Sequence, residues 1–264
     1  DSRMRRLFLA STALAACLVA PASAMAEDEN KIDLKLGGYY SGAAAYVDVD
    51  GSTGRDYTFG SDSEVWFTGQ GVLDNGLVYG FHAELELEDD PMAKGPDADQ
   101  IDEVYIFFKG GFGKVEFGQN DGIGDQFNVQ SPRSLQEISV NDHDLDPLGI
   151  TDIQTVNETS DDFMKMTYIS PTIAGVKVGV SFTPEAERNA KGFVGTTKNA
   201  GDEIIEVGVG FHDTVKDVEF SFAATYVTAD DAGGPDNKEW NVGAALDFGY
   251  LEVGGSYRDS EGTG

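Results

Sequence analysis

Apolar side chains recur at every second position along most of the chain after Ile32. This is the period of a β-strand that presents one face to an apolar environment and the other to water. The clearest example is segment 77–88, where Leu, Tyr, Phe and Ala alternate with His and Glu. The pattern predicts about eleven strands, at 32–49, 57–73, 77–88, 101–109, 114–118, 163–169, 176–182, 205–212, 218–226, 240–248 and 251–257.

The connections between these segments alternate between short and long. Short ones lie at 74–76, 110–113, 170–175, 213–217 and 249, and the first contains Asn75-Gly76, a strong hairpin signal. Long ones lie at 50–56, 89–99, 118–162, 184–202 and 230–237. Short turns at one end and long loops at the other are typical of an antiparallel transmembrane β-barrel. A secreted β-sandwich that binds carbohydrate or Ca²⁺ remains an alternative, because it shares the strand alternation.

The first 26 residues have the pattern of a secretory signal peptide. Met4-Arg5-Arg6 is basic, 7–21 is apolar, and Ala24-Met25-Ala26 fits the rule for cleavage. A lipoprotein cleavage site before Cys17 is the alternative. The sequence therefore predicts upstream residues and a signal peptide in 1–26, a barrel domain in 27–264, and export to the outer membrane. Cys17 is the only cysteine, so the mature chain is expected to lack disulfides and cysteine metal sites.

The net charge of −29 argues against nucleic acid as a partner, because nucleic-acid binding depends on basic side chains. It favours cations or an aqueous path that attracts them. An acidic surface that only keeps the protein soluble is the simpler alternative.

Segment 118–162 interrupts the strand pattern, and a structureless loop of this length is usually functional. We expect it to fold back into the barrel and narrow the pore, since clustered carboxylates in a narrow passage attract cations. A solvated surface loop is the alternative interpretation. The predicted constriction residues are Asp121, Asp125, Glu137, Asp142, Asp144, Asp146, Asp152 and Glu158.

Further polar side chains in the loop and on the strands are predicted to line the pore: Arg133, Gln119, His82, Glu84, Glu86, Lys114 and Glu116. No Ser-His-Asp arrangement or zinc-ligand spacing accompanies His82, so no enzyme is predicted. The one cofactor that the sequence suggests is Ca²⁺, at Asp142, Asp144 and Asp146, because alternating carboxylates supply oxygen ligands. This segment lacks the Gly and Glu of an EF-hand loop, and a polar turn explains it equally well.

Two segments resemble the Gram-negative general diffusion porins, especially those of alphaproteobacteria: LDNGLVYGF at 73–81 and VYIFFKGGFGKVEFGQ at 104–119. The similarity covers most of residues 27–264. It implies passive diffusion of ions and small hydrophilic solutes through a homotrimer of barrels with about sixteen strands. It also implies that the third external loop enters the pore. A substrate-specific outer-membrane channel is a further alternative.

Two features depart from the family pattern. Gln119 stands where many porins have an arginine that faces the loop acids, so a basic wall is not predicted here. Porins end in an aromatic residue on the last strand, whereas this sequence ends at Gly264. The resemblance therefore leads us to expect a chain that is truncated at its C-terminus.

Overall fold

The computed structural model describes residues 8–9, 31–46, 56–87, 101–130, 155–186, 201–230 and 236–261. Within these ranges the strands form one antiparallel sheet, in which each strand pairs with its neighbours in sequence. The strands are β1 (Phe8–Leu9), β2 (Asp33–Tyr46), β3 (Tyr57–Val72), β4 (Val78–Glu86), β5 (Ile101–Gly110), β6 (Gly113–Gln119), β7 (Met164–Ile169), β8 (Val176–Thr183), β9 (Ile204–Val215), β10 (Val218–Ala229), β11 (Asn237–Asp247) and β12 (Glu252–Glu261). A one-turn helix, α1 (Ile123–Gln126), follows β6.

This architecture confirms the prediction of an all-β, antiparallel barrel fold with about eleven strands. The strands β2 to β12 coincide with the eleven predicted segments, and the two-residue β1 pairs with the end of β2 through Phe8 and Tyr46. The described part of the sheet is open, with β1 and β12 at its edges. A β-sandwich would need a second sheet packed on the first, and the described strands all belong to one. Among the described residues, no helix has the length and apolar content needed for a transmembrane span.

The short connections all lie at one end of the sheet because successive strands are antiparallel. In the β3–β4 turn, the amide of Leu73 donates to the carbonyl of Leu77 over 2.8 Å, and Asn75 Oδ1 accepts from the amide of Leu77 over 3.0 Å. Gly76 has φ of +81°, the left-handed conformation that glycine adopts without steric penalty. The Asn-Gly signal in the sequence therefore marks the turn that the structure contains.

The two faces of the sheet have opposite polarity, and the apolar face is the exposed one. Tyr168, Val180 and Val207 are neighbours on β7, β8 and β9, and their side chains are 37%, 40% and 42% exposed. We call this side the outer face. The other side, the inner face, carries the polar side chains of Ser181 and Glu206, each 1% exposed. Exposed apolar and covered polar side chains are the reverse of a water-soluble domain and suit a sheet that faces lipid outside.

This polarity gives a direct test on β8. Val180→Arg places a charge near the middle of the outer face, which in lipid costs about 2–4 kcal/mol of folding free energy. We expect a matching loss of stability when the protein is folded into phospholipid vesicles and unfolded with urea. The control Ser221→Arg places the same side chain on the inner face, beside His212, and should have little effect. Equal losses in the two variants would contradict the assignment of the faces.

Candidate functional site

The chain leaves the sheet after β6 and lies against the inner face. Ile123 and Phe127, which begin and follow α1, are 0% and 2% exposed because they pack against the glycines of β8 and β9. A Cβ atom at Gly208 would lie 2.8 Å from Ile123 Cγ2, and one at Gly179 would contact both Ile123 and Phe127. The inner face, which we also call the wall, lacks side chains at these two glycines of β8 and β9 and therefore has room for α1.

Backbone amides at the start of α1 bind side chains of the wall. The amide of Ile123 donates to Ser181 Oγ over 3.1 Å, and the amide of Gly124 donates to Glu206 Oε2 over 2.9 Å. Ser181 Oγ donates to the same Glu206 oxygen over 2.9 Å. The buried carboxylate of Glu206 thus accepts hydrogen bonds from both β8 and the loop. Hydrogen bonds to a charged acceptor are stronger than those between neutral groups.

A second carboxylate, Glu116 on β6, holds the other side of this segment. Its Oε2 accepts from Asn120 Nδ2 over 3.1 Å and from Gln126 Nε2 over 3.0 Å. Lys114 forms an ion pair with Glu116, which is 1% exposed. The segment that carries α1 is therefore fixed to β6 as well as to β8 and β9.

The returning part of the loop, 155–162, also follows the inner face, on β10 to β12. Thr155 Oγ1 lies 2.6 Å from Ser256 Oγ, Asn157 Nδ2 donates to Thr225 Oγ1 over 3.0 Å, and Thr159 Oγ1 donates to Glu239 Oε2 over 2.8 Å. Each of these bonds joins the loop to a different strand. Together they spread the contact across the wall.

Lys165 connects the two ends of the loop. Its Nζ donates to the carbonyls of Asn120 and Asp161 and approaches the carbonyl of Ser160 at 3.4 Å. The side chain is 1% exposed. A buried ammonium is stable only when it has such partners, so Lys165 fixes the points where the loop leaves and rejoins the sheet.

Two acids of the loop, Asp121 and Asp125, lie close enough to share a proton. Burial, the nearby charge of Asp125 and a hydrogen bond with it raise the pKa of Asp121 to about 9, although Lys165 opposes the shift. Burial also raises the pKa of Asp125, although hydrogen bonds from Asp121 and Asn128 oppose that shift. At neutral pH Asp121 is therefore protonated and donates to Asp125.

The predicted constriction residues divide between described and undescribed parts of the chain. Asp121 and Asp125 are half-buried beside the inner face, and Glu158 is exposed on the returning segment. The others, with Arg133, lie outside the described residues: Glu137, Asp142, Asp144, Asp146 and Asp152. The three aspartates suggested for Ca²⁺ are among these, so that site and the constriction assignment stay predictions.

The predicted lining residues on the strands occupy two kinds of position. His82, Glu84 and Glu86 alternate along the inner face of β4, and Lys114 and Glu116 do so on β6. Gln119 pairs with Val104 and Met164. This pairing places Gln119 among the residues of the outer face rather than the inner face, although the residue itself is 5% exposed.

A compact polar cluster surrounds His82. Its Nδ1 lies 2.8 Å from Thr68 Oγ1, and its Nε2 lies 2.6 Å from Glu84 Oε1 and 3.8 Å from Glu103 Oε2. Glu103 also accepts a hydrogen bond from the amide of Asp121 over 2.9 Å. The cluster therefore touches the loop.

Sequence reasoning missed several inner-face residues that the structure identifies. Glu103 lies in the inner set of β5 with Lys109, and it was missed because residues 104–108 are apolar on both faces, which hides the alternation of this strand in the sequence. Lys109 and Lys177 were missed as well; their Nζ atoms lie 4.4 and 4.3 Å from the ring centres of Phe107 and Phe127. For the lysines, strict alternation within each strand was a usable signal.

Comparisons with known proteins agree with this arrangement. The family model for Gram-negative porin matches residues 10–264. No match to a curated protein sequence was found. The fold is similar to that of a porin refined at 1.8 Å resolution, with a TM-score of 0.55 and 23% identity over 86% of this chain and 67% of that one.

Two other solved structures share the fold at lower identity. The anion-selective porin from Comamonas acidovorans has a TM-score of 0.52 and 16% identity, over 87% of this chain and 68% of that one. OmpT, an outer membrane protein of Vibrio cholerae, has a TM-score of 0.50 and 14% identity, over 91% of this chain and 79% of that one. Because the family match covers nearly the whole sequence, the chain belongs to the Gram-negative porin family, whose members are outer-membrane channels rather than enzymes.

Proposed function

We propose that the chain forms a water-filled pore that passes ions and small hydrophilic solutes by passive diffusion, with a preference for cations. Membership of the porin family supports an outer-membrane channel. The observation that carries the finer proposal is the attachment of both described loop segments, 119–130 and 155–162, to the polar face of the sheet. A loop fixed there occupies space that the pore would otherwise have.

The cation preference rests on where charge is exposed. Glu158 and Asp161 are exposed on the returning segment, whereas the nearby cation Lys165 is buried against backbone carbonyls. Exposed carboxylates beside a confined aqueous path raise the local concentration of cations. The anion preference stated for the Comamonas porin belongs to that protein, since a likeness at 16% identity concerns the fold alone.

The remaining parts of the proposal come from the sequence and the resemblance. We propose cleavage of a signal peptide in 1–26, insertion of the 27–264 domain in the outer-membrane bilayer, and assembly as a homotrimer. Within the loop, Glu137, Asp152 and the basic Arg133 would complete the constriction. Asp142, Asp144 and Asp146 would be the place for Ca²⁺.

Overpacking the wall beneath α1 tests whether the loop is attached there. In Gly208→Val the new side chain meets Ile123, and overpacking of this kind costs about 1–3 kcal/mol. We expect a partly released loop, seen as frequent stepwise fluctuations of single-channel current in planar bilayers. In the control Gly255→Val, a Cβ meets nothing within 4 Å, and the fluctuations should be as rare as in the wild type. A Gly208→Val channel without added fluctuations would contradict the attachment.

Removing the exposed loop acids tests the selectivity. A unit charge about 10 Å from a permeating ion in water contributes roughly 0.4 kcal/mol before salt screening, or about twofold in ion distribution. Because each charge attracts cations and repels anions, we expect the double variant Glu158→Gln/Asp161→Asn to lower the cation-to-anion permeability ratio by about sixteenfold without screening and by about threefold at 0.1 M salt. Reversal potentials under a KCl gradient measure this ratio. The control Asp213→Asn/Asp217→Asn removes two charges near a short turn and should leave it unchanged; an anion-selective wild type would overturn the proposal.

The shared proton of Asp121 predicts a dependence on alkaline pH. Its pKa in the folded protein is about 9 against an ordinary 3.8, so the folded loop favours the protonated form. The attachment therefore weakens progressively as pH rises above about 4 and is weakest once pH exceeds about 9. We expect the current fluctuations of the wild type to become more frequent between pH 7 and 10, and those of Asp121→Asn to stay constant over this range. Identical pH profiles for the two proteins would show that this carboxyl does not titrate as described.

A further inference from the structure

Three metal-binding side chains converge on the inner face of β4 and β5. One ligand atom from each of His82, Glu84 and Glu103 lies within 4.8 Å of the other two. Their side chains are 13%, 21% and 14% exposed, so the group is partly sheltered and still reachable from the aqueous side. Residues 82 and 84 are adjacent inner positions on one strand, while residue 103 comes from the next.

An irregularity in the strand pairing lies beside this group. Ala83 pairs with Val104 and Leu85 pairs with Ile101, so one residue of β4, Glu84, stands opposite two residues of β5, Asp102 and Glu103. This is the two-against-one arrangement of a β-bulge, which redirects side chains and is common beside functional sites. Regular pairing would already place Glu103 opposite Glu84, and the bulge adds Asp102 beside them.

The imidazole of His82 is oriented for binding through Nε2. Its Nδ1 lies 2.8 Å from Thr68 Oγ1, and the ring of Tyr105 packs against it with centres 5.1 Å apart. When Nδ1–H donates to the threonine hydroxyl, the Nε2 lone pair points toward the carboxylates of Glu84 and Glu103. A second hydrogen bond that fixes tautomer and ring orientation is typical of histidines that bind metal.

An unsatisfied oxygen lies on the other side of Glu84. Glu64 Oε1 is buried without a hydrogen-bond partner, and carboxylate oxygens of Glu64, Glu84 and Asp102 lie within 4.8 Å of one another. An orphaned buried acceptor beside further carboxylates is unfavourable unless a proton or a cation joins them. A proton between Glu64 and Glu84 would join them as well as a cation would, so the proposal rests on the His82 group.

We propose that His82 Nε2, Glu84 and Glu103 bind one divalent transition-metal ion of the Zn²⁺ class. Imidazole together with carboxylate favours such ions, whereas Ca²⁺ and Mg²⁺ prefer ligand sets made of oxygen alone. Glu64 and Asp102 supply further carboxyl oxygens next to Glu84. The site is distinct from the loop aspartates suggested for Ca²⁺, because its three ligands are all on strands.

The bound ion also bears on the pore. Glu103 accepts a hydrogen bond from the amide of Asp121, so one of the proposed metal ligands contacts the loop directly. An added cation here narrows the passage and cancels negative charge on the wall. This second step rests on the proposed channel function, whereas the binding step does not.

Calorimetric titration of Zn²⁺ into the full chain, folded in detergent and freed of metal by a chelator, tests the binding step. We expect one ion per chain, with affinity at least about tenfold lower in His82→Asn and in Glu103→Gln. Thr68→Val keeps every ligand and should also weaken binding about tenfold. His212→Asn is the matched control, because His212 lies on the same inner face but bonds to Ser221, and it should bind as wild type does. Far-UV circular dichroism checks that each variant is folded.

Unchanged Zn²⁺ affinity in folded His82→Asn, an equal loss in His212→Asn, or equal competition by Ca²⁺ would overturn the proposal. Single-channel current recorded with and without Zn²⁺ then separates the two steps. A Zn²⁺-dependent fall in conductance that His82→Asn abolishes supports both. Calorimetric binding with unchanged conductance supports the site and contradicts only the effect on the pore.

Discussion

Buried polar side chains on the inner face need hydrogen-bond partners, and this need links the loop to the sheet. Glu206, Thr225 and Asn241 are 1%, 4% and 0% exposed, and each bonds to a loop residue. A buried polar group that lacks a partner costs about 1–3 kcal/mol. The wall and the loop therefore stabilise each other, because moving the loop away would remove partners on both sides at once.

Apolar packing and glycine complement this polar network. Ile123 and Phe127 reach the wall because Gly179 and Gly208 carry no side chains there. The backbone carbonyl of Val129 approaches the Cα of Gly243 in a similar way, since a Cβ at that residue would collide with it. Hydrophobic contact thus holds the loop in an otherwise polar interior, and the directional hydrogen bonds of Glu116 and Glu206 set its position.

The sequence predicted the sheet well because its signals are local. Strand alternation, the Asn75-Gly76 turn and the order of short and long connections can each be read within a few residues. The site depends on contacts between distant residues, such as the bond from Gly124 to Glu206, 82 positions apart. The approach of Glu84 to Glu103, and the bulge that adds Asp102, follow from the pairing of two strands, which alternation within one strand does not determine. The raised pKa of Asp121 could not be predicted from the sequence, because its main cause is the burial of this side chain.

Three inner-face lysines lie toward the short turns, and each has a local partner. Lys109, Lys114 and Lys177 lie beside the short turns of β5–β6 and β7–β8, whereas Glu103 and Glu206 lie toward the long connections. Each lysine has a partner on the wall or loop: an aromatic ring for Lys109 and Lys177 and a carboxylate for Lys114. Such contacts satisfy part of the cationic charge locally. In the proposed channel, a cation that enters from the loop side would therefore meet the partly exposed carboxyl group of Glu103 before it reaches these lysines.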